Sequence, residues 1–144
     1  MEEIIIREAT IEDAAAIASL LNQLGYPATE SAALEKITVY KQPTYALFIA
    51  EIEKNAVGYI ALHYYDTLHW QKPIGRITSF CVDENYRGSG VGIALLKASE
   101  DYFTKVGCQK IEVSSNKRRE ETHQFYLKRG YQEYSKIFSK LNIS

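Results

Sequence analysis

The sequence predicts one domain, residues 1–144, of mixed α/β (α+β) class, with a mostly antiparallel sheet and helices on both faces. Runs of β-forming residues alternate with stretches of helical periodicity, and no internal repeat is present. A chain of 144 residues with 46% hydrophobic and 24% charged residues has the composition of a globular protein with one core.

The predicted element order is βααβββαβαβ. In chain order, the ten elements are strand Ile4–Ile6, helix Ile11–Leu24, helix Thr29–Tyr40, strands Tyr45–Glu51, Ala56–Tyr65 and Arg76–Asp83, helix Val91–Val106, strand Lys110–Ser115, helix Glu120–Arg129 and strand Tyr131–Leu141.

The first two helices are predicted from their apolar spacing and their end signals. Thr10 followed three residues later by Asp13 is typical of a helix start, and apolar residues then recur at three- and four-residue intervals. Gly25 ends this pattern, and Thr29 is suited to cap the next helix.

The next three strands are rich in β-forming residues. Tyr45–Glu51 and Ala56–Tyr65 are separated by four residues, Ile52-Glu53-Lys54-Asn55, which suit a hairpin connection. An aromatic and polar segment, His63–Pro73, leads to the strand Arg76–Asp83.

The last four elements follow the same reasoning. From Val91 to Val106 the apolar residues fall on one helical face, and Gly107 is placed as a C-terminal cap. Apolar and polar residues alternate in Lys110–Ser115, as in a strand. Gly130 ends the short helix Glu120–Arg129, and the β-forming residues after Gly130 predict a final strand.

Charge and hydropathy exclude two classes of partner. The net charge is −1 and the longest basic run is Lys117–Arg119, so a nucleic-acid partner is not expected. No apolar run is long enough to span a membrane, and the start lacks a basic segment, so we expect a cytoplasmic protein. Cys81 and Cys108 match no metal-ligand spacing; we expect buried structural thiols and no metal.

A glycine-rich loop is the strongest functional signal. Arg87-Gly88-Ser89-Gly90-Val91-Gly92 lies between a predicted strand and a predicted helix. Glycines leave backbone N–H groups accessible, and a helix N-terminus favours negative charge. The loop therefore predicts a phosphorylated ligand.

Two other phosphate loops fit less well. A P-loop needs Lys and then Ser or Thr after its last glycine, whereas Ile93 and Ala94 follow Gly92. In a dinucleotide-binding fold, Glu112 would be the acidic residue that binds a ribose hydroxyl. However, the third glycine of that motif is expected at position 93, and the chain after the loop is short for a doubly wound unit.

The loop and its surroundings resemble the GNAT superfamily of N-acetyltransferases. Arg87–Gly92 is similar to the family's acetyl-coenzyme A signature, and Phe80–Tyr86 is similar to its lead-in, although Glu84 stands where proline is frequent. Ser115-Asn116 and then Thr122–Tyr131 resemble its second motif. The resemblance covers nearly the whole chain and implies a sheet whose central strands splay apart to form a slot.

The resemblance also implies the cofactor site. Acetyl-CoA would be the co-substrate, with its diphosphate on the loop backbone and its pantetheine arm along the preceding strand. Asn116 would contact the pantetheine, or it is an ordinary turn residue. The implied cofactor-binding residues are Phe80, Cys81, Val82, Arg87, Gly88, Ser89, Gly90, Val91, Gly92 and Asn116.

For catalysis, the resemblance implies direct transfer to an amine, with Tyr126 as proton donor to the departing sulfur. We expect this proton transfer to be downhill; the alternative is that Tyr126 belongs to the apolar face of a helix. The strand 77–80 offers no carboxylate base. The amine proton would pass through water to His63, His69, Glu51 or bulk solvent. His123 is expected to contact helix or loop carbonyls and not to act in the site.

The acceptor is expected to be a primary amine of a small molecule or a peptide. Tyr64, Tyr65, His69 and Trp70 would line its pocket, since aromatic faces attract cations, or they pack a hairpin or a dimer surface. The resemblance leaves a homodimer open. The rival function is a non-catalytic acyl-CoA-binding sensor or interaction module on the same fold.

Overall fold

The computed structural model describes residues 2–114, 120–133 and 137–143. It contains two compact units, residues 1–113 and 114–144. The helices and strands are β1 (Ile5–Glu8), α1 (Ala14–Leu24), α2 (Glu30–Val39), β2 (Tyr45–Ile52), β3 (Asn55–Tyr65), β4 (Ile74–Val82), α3 (Val91–Lys105), β5 (Lys110–Val113) and α4 (Glu120–Lys128).

The first unit contains a five-stranded sheet in the order β1-β2-β3-β4-β5. Neighbouring strands are antiparallel except for β4 and β5, which are parallel. The predicted mixed, mostly antiparallel sheet is confirmed. Because successive side chains of a strand point to opposite faces, the sheet has two apolar faces that both need helices.

Helices α1 and α2 cover one face. Their small and branched apolar residues pack on alternate residues of β2 and β3 and on Cys81 of β4. The buried members of this core are Ala9, Ala14, Ile17, Ala18, Leu20, Ala33, Ile37, Leu47, Ile49, Tyr59, Ala61 and Cys81.

Helix α3 covers the other face, so the prediction of helices on both faces is confirmed. It buries Val91, Leu95 and Phe103 almost completely. Two strand glycines let the helix approach the sheet closely. A Cβ on Gly75 would lie 2.6 Å from the Phe103 ring, and one on Gly58 would lie 3.1 Å from Leu95.

The predicted helix ends are present. The Asp13 carboxylate accepts the Thr10 N–H at 2.8 Å and also binds the Arg7 guanidinium at 2.9 Å. Burial alone would raise the pKa of Asp13, but the hydrogen bonds from Arg7 and Thr10 hold that pKa below its ordinary value. The Thr29 side chain accepts the Ala32 N–H and starts α2.

The predicted final strand, Tyr131–Leu141, is wrong for the described residues. Residues 131–133 and 137–143 are not in a strand, and 134–136 lie outside the described residues. β-forming residues alone do not make a strand, because a strand also needs a neighbour for its backbone groups. Three large apolar side chains of this segment, Ile137, Phe138 and Leu141, are instead exposed, as is Ile143 just after it. The single domain and the homodimer stay predictions.

Candidate active site

The end of β4 leads directly into the glycine loop. Asp83 donates its N–H to Val57 O at 2.8 Å, and its carboxylate accepts the Asn85 N–H at 2.9 Å, which starts one 3₁₀ turn, Glu84–Tyr86. An Asp in this position satisfies an otherwise unpaired amide at the turn's start. The turn reverses the chain from the sheet toward α3.

Two glycines of the loop have left-handed backbones. Gly88 has φ +81° and Gly90 has φ +92°, a region that glycine enters without steric cost. A Cβ at Gly88 would have no atom within 4 Å, so the space beside it is open. Gly90 is the residue that caps α3, and it offers no side chain to the helix start.

The first turn of α3 presents backbone donors. The first i to i−4 bond of the helix joins Ala94 N–H to Gly90 O at 3.0 Å. By helix geometry the preceding amides, those of Val91, Gly92 and Ile93, have no such partner. Together with the helix dipole, such amides would favour a negatively charged group, so the anion site predicted from the sequence stays a prediction that this geometry allows.

The side chains of the loop bind its own backbone. The Ser89 hydroxyl donates to Tyr86 O, and Arg87 Nε donates to Val82 O at 3.4 Å. Both side chains are exposed. These two hydrogen bonds hold the loop in shape.

Gln23 of α1 supports the loop, a contact that the sequence analysis missed. Its amide donates to the Asp83 carboxylate at 3.3 Å and accepts the Glu84 N–H at 3.0 Å. The partners are 60 and 61 residues apart in the chain. No local pattern predicts such a contact; only the packing of α1 beside β4 brings it about.

The middle of β4 carries a bulge. Ala61 pairs with Ser79 and Leu62 with Ile77, so Thr78 is an extra residue in β4. The Thr78 hydroxyl donates to Ala61 O at 3.1 Å and lies 2.8 Å from the hydroxyl of Tyr40.

Two predicted features of β4 have different outcomes. The Cys81 thiol is buried and lies 3.4 Å from Leu20 O of α1, so the structural-thiol prediction is confirmed for Cys81; Cys108 is only half-buried. The parallel register of β4 and β5 ends at Ile77 and Val113, and β4 continues to Val82. The splayed slot stays a prediction, and Asn116 lies outside the described residues.

The predicted acceptor residues do not form one group. Tyr64 and Tyr65 are neighbours on β3 and point to opposite faces: the Tyr64 ring lies near Tyr102 of α3, whereas the Tyr65 hydroxyl donates to Glu112 at 2.7 Å. His69 and Trp70 contact each other in the exposed segment after β3.

The candidate bases have defined neighbours. Glu51 lies 3.4 Å from Arg7, so its carboxylate is engaged in an ion pair. His63 stacks on Tyr45 and approaches Thr44 O at 3.1 Å through Nδ1. His69 is exposed and His123 is half-buried on α4. None of these contacts assigns the base.

Tyr126 lies on α4 in the second unit and is 7% exposed. Its ring packs against Phe125 and Tyr131, with centroids 5.5 Å apart in both pairs. Burial raises the pKa of Tyr126 to about 12. The expected downhill proton transfer is wrong. A phenol is a weaker acid than a thiol of pKa about 8.5, so full transfer to a free thiolate is uphill by about 5 kcal/mol.

Residues 2–114, 120–133 and 137–143 contain neither a membrane-spanning helix nor a group of metal-ligating side chains. No helix in them is long and apolar enough to cross a bilayer. No three His, Cys, Asp or Glu side chains among them are grouped so that they could hold a metal ion. That the activity needs no metal stays a prediction.

Two relatives of known sequence are named as N-acetyltransferases. The chain is 30% identical over 140 residues to aminoalkylphosphonate N-acetyltransferase of Salmonella typhimurium, a match that covers 94% of this chain and 89% of the relative. It is 29% identical over 137 residues to aminoglycoside N(6')-acetyltransferase type 1 of Stenotrophomonas maltophilia, covering 92% and 88%.

Solved structures share the fold. An aminoglycoside N-acetyltransferase in complex with CoA matches with a TM-score of 0.88 and 18% identity, covering 100% of this chain and 97% of that one. Glucosamine-6-phosphate N-acetyltransferase from Arabidopsis thaliana matches with a TM-score of 0.83 and 20% identity, covering 98% and 99%. The model of the acetyltransferase (GNAT) family matches residues 13–131. This chain belongs to the GNAT family of acetyltransferases.

Proposed function

We propose that the protein transfers the acetyl group of acetyl-CoA directly to a small primary amine. The observation that carries this proposal is the start of α3, where the left-handed glycines Gly88 and Gly90 precede a row of helix-start amides and the space beside Gly88 is open. A diphosphate carries the charge and the acceptor oxygens that such a site favours.

The residues present fit this cofactor. The amides from Gly88 to Gly92 would hold the diphosphate, and Arg87 would add positive charge at the loop's start. The backbone of Phe80, Cys81 and Val82 would pair with the pantetheine arm as an added strand. The burial of the Cys81 side chain against α1 supports a backbone role for this segment.

When bound, acetyl-CoA supplies a thioester whose carbonyl carbon takes up the amine nitrogen while the C–S bond breaks. An alkylammonium has a pKa near 10.4, so it must lose a proton before it attacks. With no side chain assigned as base, we propose that water carries this proton away and that orientation of the amine supplies much of the acceleration.

Tyr126 would act on the leaving sulfur. Since its pKa of about 12 keeps the phenol protonated at neutral pH, Tyr126 would serve as a hydrogen-bond donor to the negative charge that develops on sulfur. It need not give up its proton, because solvent can protonate the released thiolate. Tyr126 is thus still proposed to act on the sulfur, as the sequence predicts, but without the proton transfer that is uphill.

The relatives support a small acceptor. Two of them are named for aminoalkylphosphonates and aminoglycosides, which are small molecules with primary amines. A peptide amine remains the alternative within the same reaction class.

The test combines binding with turnover. Acetyl-CoA should raise the melting temperature because it binds only the folded state, while NAD and ATP should not. Acetyl-CoA with a panel of primary amines should release free thiol. Absence of a melting shift at millimolar acetyl-CoA would contradict the cofactor; a shift without thiol release from any amine would favour a sensor.

A further inference from the structure

The bulge in β4 brings two pairs of hydroxyls to the sheet face that α1 and α2 cover. The Thr78 hydroxyl lies 2.8 Å from the hydroxyl of Tyr40, the residue that follows α2. The Ser79 hydroxyl lies 2.6 Å from that of Tyr59, which is buried in the core under the same helices. Adjacent residues of a regular strand point to opposite faces, so the bulge is what turns both hydroxyls to one face.

The pair formed by Tyr40 and Thr78 has a defined direction. The Thr78 hydroxyl donates to Ala61 O at 3.1 Å, and a carbonyl oxygen can only accept. Because a hydroxyl has one proton, the Thr78 oxygen accepts the proton of the Tyr40 hydroxyl. The Tyr40 oxygen therefore keeps lone pairs that can accept a hydrogen bond from a ligand.

The Tyr40 ring is held in place while its hydroxyl stays accessible. Its backbone N–H donates to Lys36 O at 3.0 Å at the end of α2, and its ring meets Tyr45 edge-on with centroids 5.2 Å apart. The residue is half-buried, and its hydrogen bond to Thr78 is exposed. A side chain held in this way loses little conformational entropy when it binds a ligand.

The packing of α3 favours approach of an acceptor from the same face. On the opposite face, a Cβ on Gly75 would lie 2.6 Å from the Phe103 ring, and one on Gly58 would lie 3.1 Å from Leu95. Gly75 lies on β4, and Gly58 pairs with Val82 near the other end of β4. This close packing leaves the face with α1 and α2 as the side from which a ligand reaches β4.

The hydroxyl pair lies beside the reaction centre of the proposed function, on which this inference rests. The proposed pantetheine arm runs from the glycine loop back along Val82, Cys81 and Phe80, so its thioester end points toward Thr78. Thr78 precedes Phe80 by two residues, about 7 Å along a strand. An amine that attacks the thioester from this face would therefore lie next to the Tyr40 hydroxyl.

We propose that Tyr40 is an acceptor-binding residue whose hydroxyl accepts a hydrogen bond from the attacking amine, with Thr78 as the positioning residue that orients it. The neutral amine donates one N–H to the Tyr40 oxygen, and its lone pair is thereby directed at the thioester carbonyl carbon. Holding the two reacting atoms in this geometry lowers the entropic part of the barrier.

Tyr40 orients the amine and does not remove its proton. As the nitrogen attacks, the C–N bond forms, the C–S bond breaks and its electron pair leaves with sulfur. The hydrogen bonds from the amine run through Tyr40 and Thr78 to Ala61 O, an amide oxygen that is not a base at neutral pH. The extra proton on nitrogen is lost to water, as in the proposed function.

Removal of single hydroxyls tests this role, with propylamine, 2-aminoethylphosphonate and kanamycin as acceptors. Tyr40→Phe keeps the ring against Tyr45 and removes only the hydroxyl. We expect kcat/KM for each amine that gives thiol release to fall about tenfold, because one hydrogen bond to the reacting nitrogen is lost. Acetyl-CoA affinity, measured by calorimetry, should stay within about twofold. Tyr102→Phe removes a hydroxyl from α3 and is the matched control, with kcat/KM within about twofold of wild type.

Two variants of Thr78 test the orientation. Thr78→Val removes the acceptor of the Tyr40 proton, so this proton can turn toward the amine, and kcat/KM should fall about as much as in Tyr40→Phe. Thr78→Ser keeps the hydroxyl and should keep kcat/KM within about threefold of wild type. Combining Tyr40→Phe with Thr78→Val should cost at most about twofold more than Tyr40→Phe alone, because both changes remove the same interaction. If Thr78→Val does not fold, Tyr40→Phe and Thr78→Ser carry the test.

The outcomes separate this inference from the proposed function. Thiol release with unchanged kcat/KM in Tyr40→Phe overturns the inference and leaves the proposed function standing. So does a loss of acetyl-CoA affinity as large as the loss of kcat/KM, which would place Tyr40 on the cofactor side. Fully additive losses in the combined variant overturn the role of Thr78. No binding of acetyl-CoA, or binding without thiol release from any of the three amines, overturns both proposals.

Discussion

The two ends of β4 differ in how they present polar groups. After Val82 the chain offers backbone amides from one contiguous loop, in which Gly88 has open space beside it. Around Arg76 the polar groups are side chains from three strands that meet only in the folded sheet. Backbone amides are present whatever the side chains are, whereas the contacts around Arg76 depend on the identity of each side chain.

Gly90→Asp should have the largest effect on the loop end. It adds a negative charge and a Cβ to the residue before the first turn of α3, so we expect acetyl-CoA affinity to fall at least about 100-fold by calorimetry. Gly107→Asp is the matched control, since its φ of +87° creates similar strain in open space. Equal affinity loss in both variants would contradict a specific role of Gly90.

Tyr126→Phe tests the proposed hydrogen bond to sulfur. We expect kcat to fall about 10- to 100-fold with little change in KM, because the donor acts on charge that develops during the reaction. Tyr131→Phe, the neighbouring ring, should leave kcat within about twofold. An unchanged kcat in the Tyr126 variant would return this residue to a packing role.

Asp13→Asn tests stability away from both ends. Asp13 has a lowered pKa in the folded state, so its stabilising contribution is fully present above its ordinary pKa of 3.8 and is lost as pH falls through the lower folded value. We expect the free energy of unfolding at pH 7 to fall by about 2 kcal/mol, with a smaller difference near pH 3. Urea titrations at both pH values measure this; a difference that does not shrink at low pH would contradict the assignment.

Tyr65→Phe should have the smallest effect. It removes one hydrogen bond from Glu112, about 1 kcal/mol, and should let the Glu112 pKa rise toward its ordinary value. Carboxyl titration followed by NMR would detect this rise. A pKa that stays fixed would mean that the two cations alone stabilise the carboxylate.

The glycine-loop end of β4 could be predicted from sequence because the residues that form it are consecutive in the chain. Gly88 and Gly90 are glycines for a local backbone reason, and the next residues begin a helix whose periodicity is clear. Gln23 could not be predicted, since its partners are about 60 residues away. Glu112 was considered for a ribose, but the structure gives it Tyr65, Arg76 and Lys110 as neighbours.

Errors of the sequence analysis also have physical causes. Tyr64 and Tyr65 are both predicted to line the acceptor pocket because aromatic faces attract cations, but adjacent strand residues point to opposite faces. The final strand is predicted from β-forming residues alone, and these do not specify a pairing partner. Most other element boundaries agree within two residues, because caps and periodicity are local signals.

The central claim is that the amides at the start of α3 bind the diphosphate of acetyl-CoA. The most direct measurement is calorimetric titration of the wild-type protein with acetyl-CoA and with acetyl-pantetheine, which carries the same thioester and no diphosphate. We predict that acetyl-CoA binds at least about 100-fold more tightly. Equal affinities would contradict the claim.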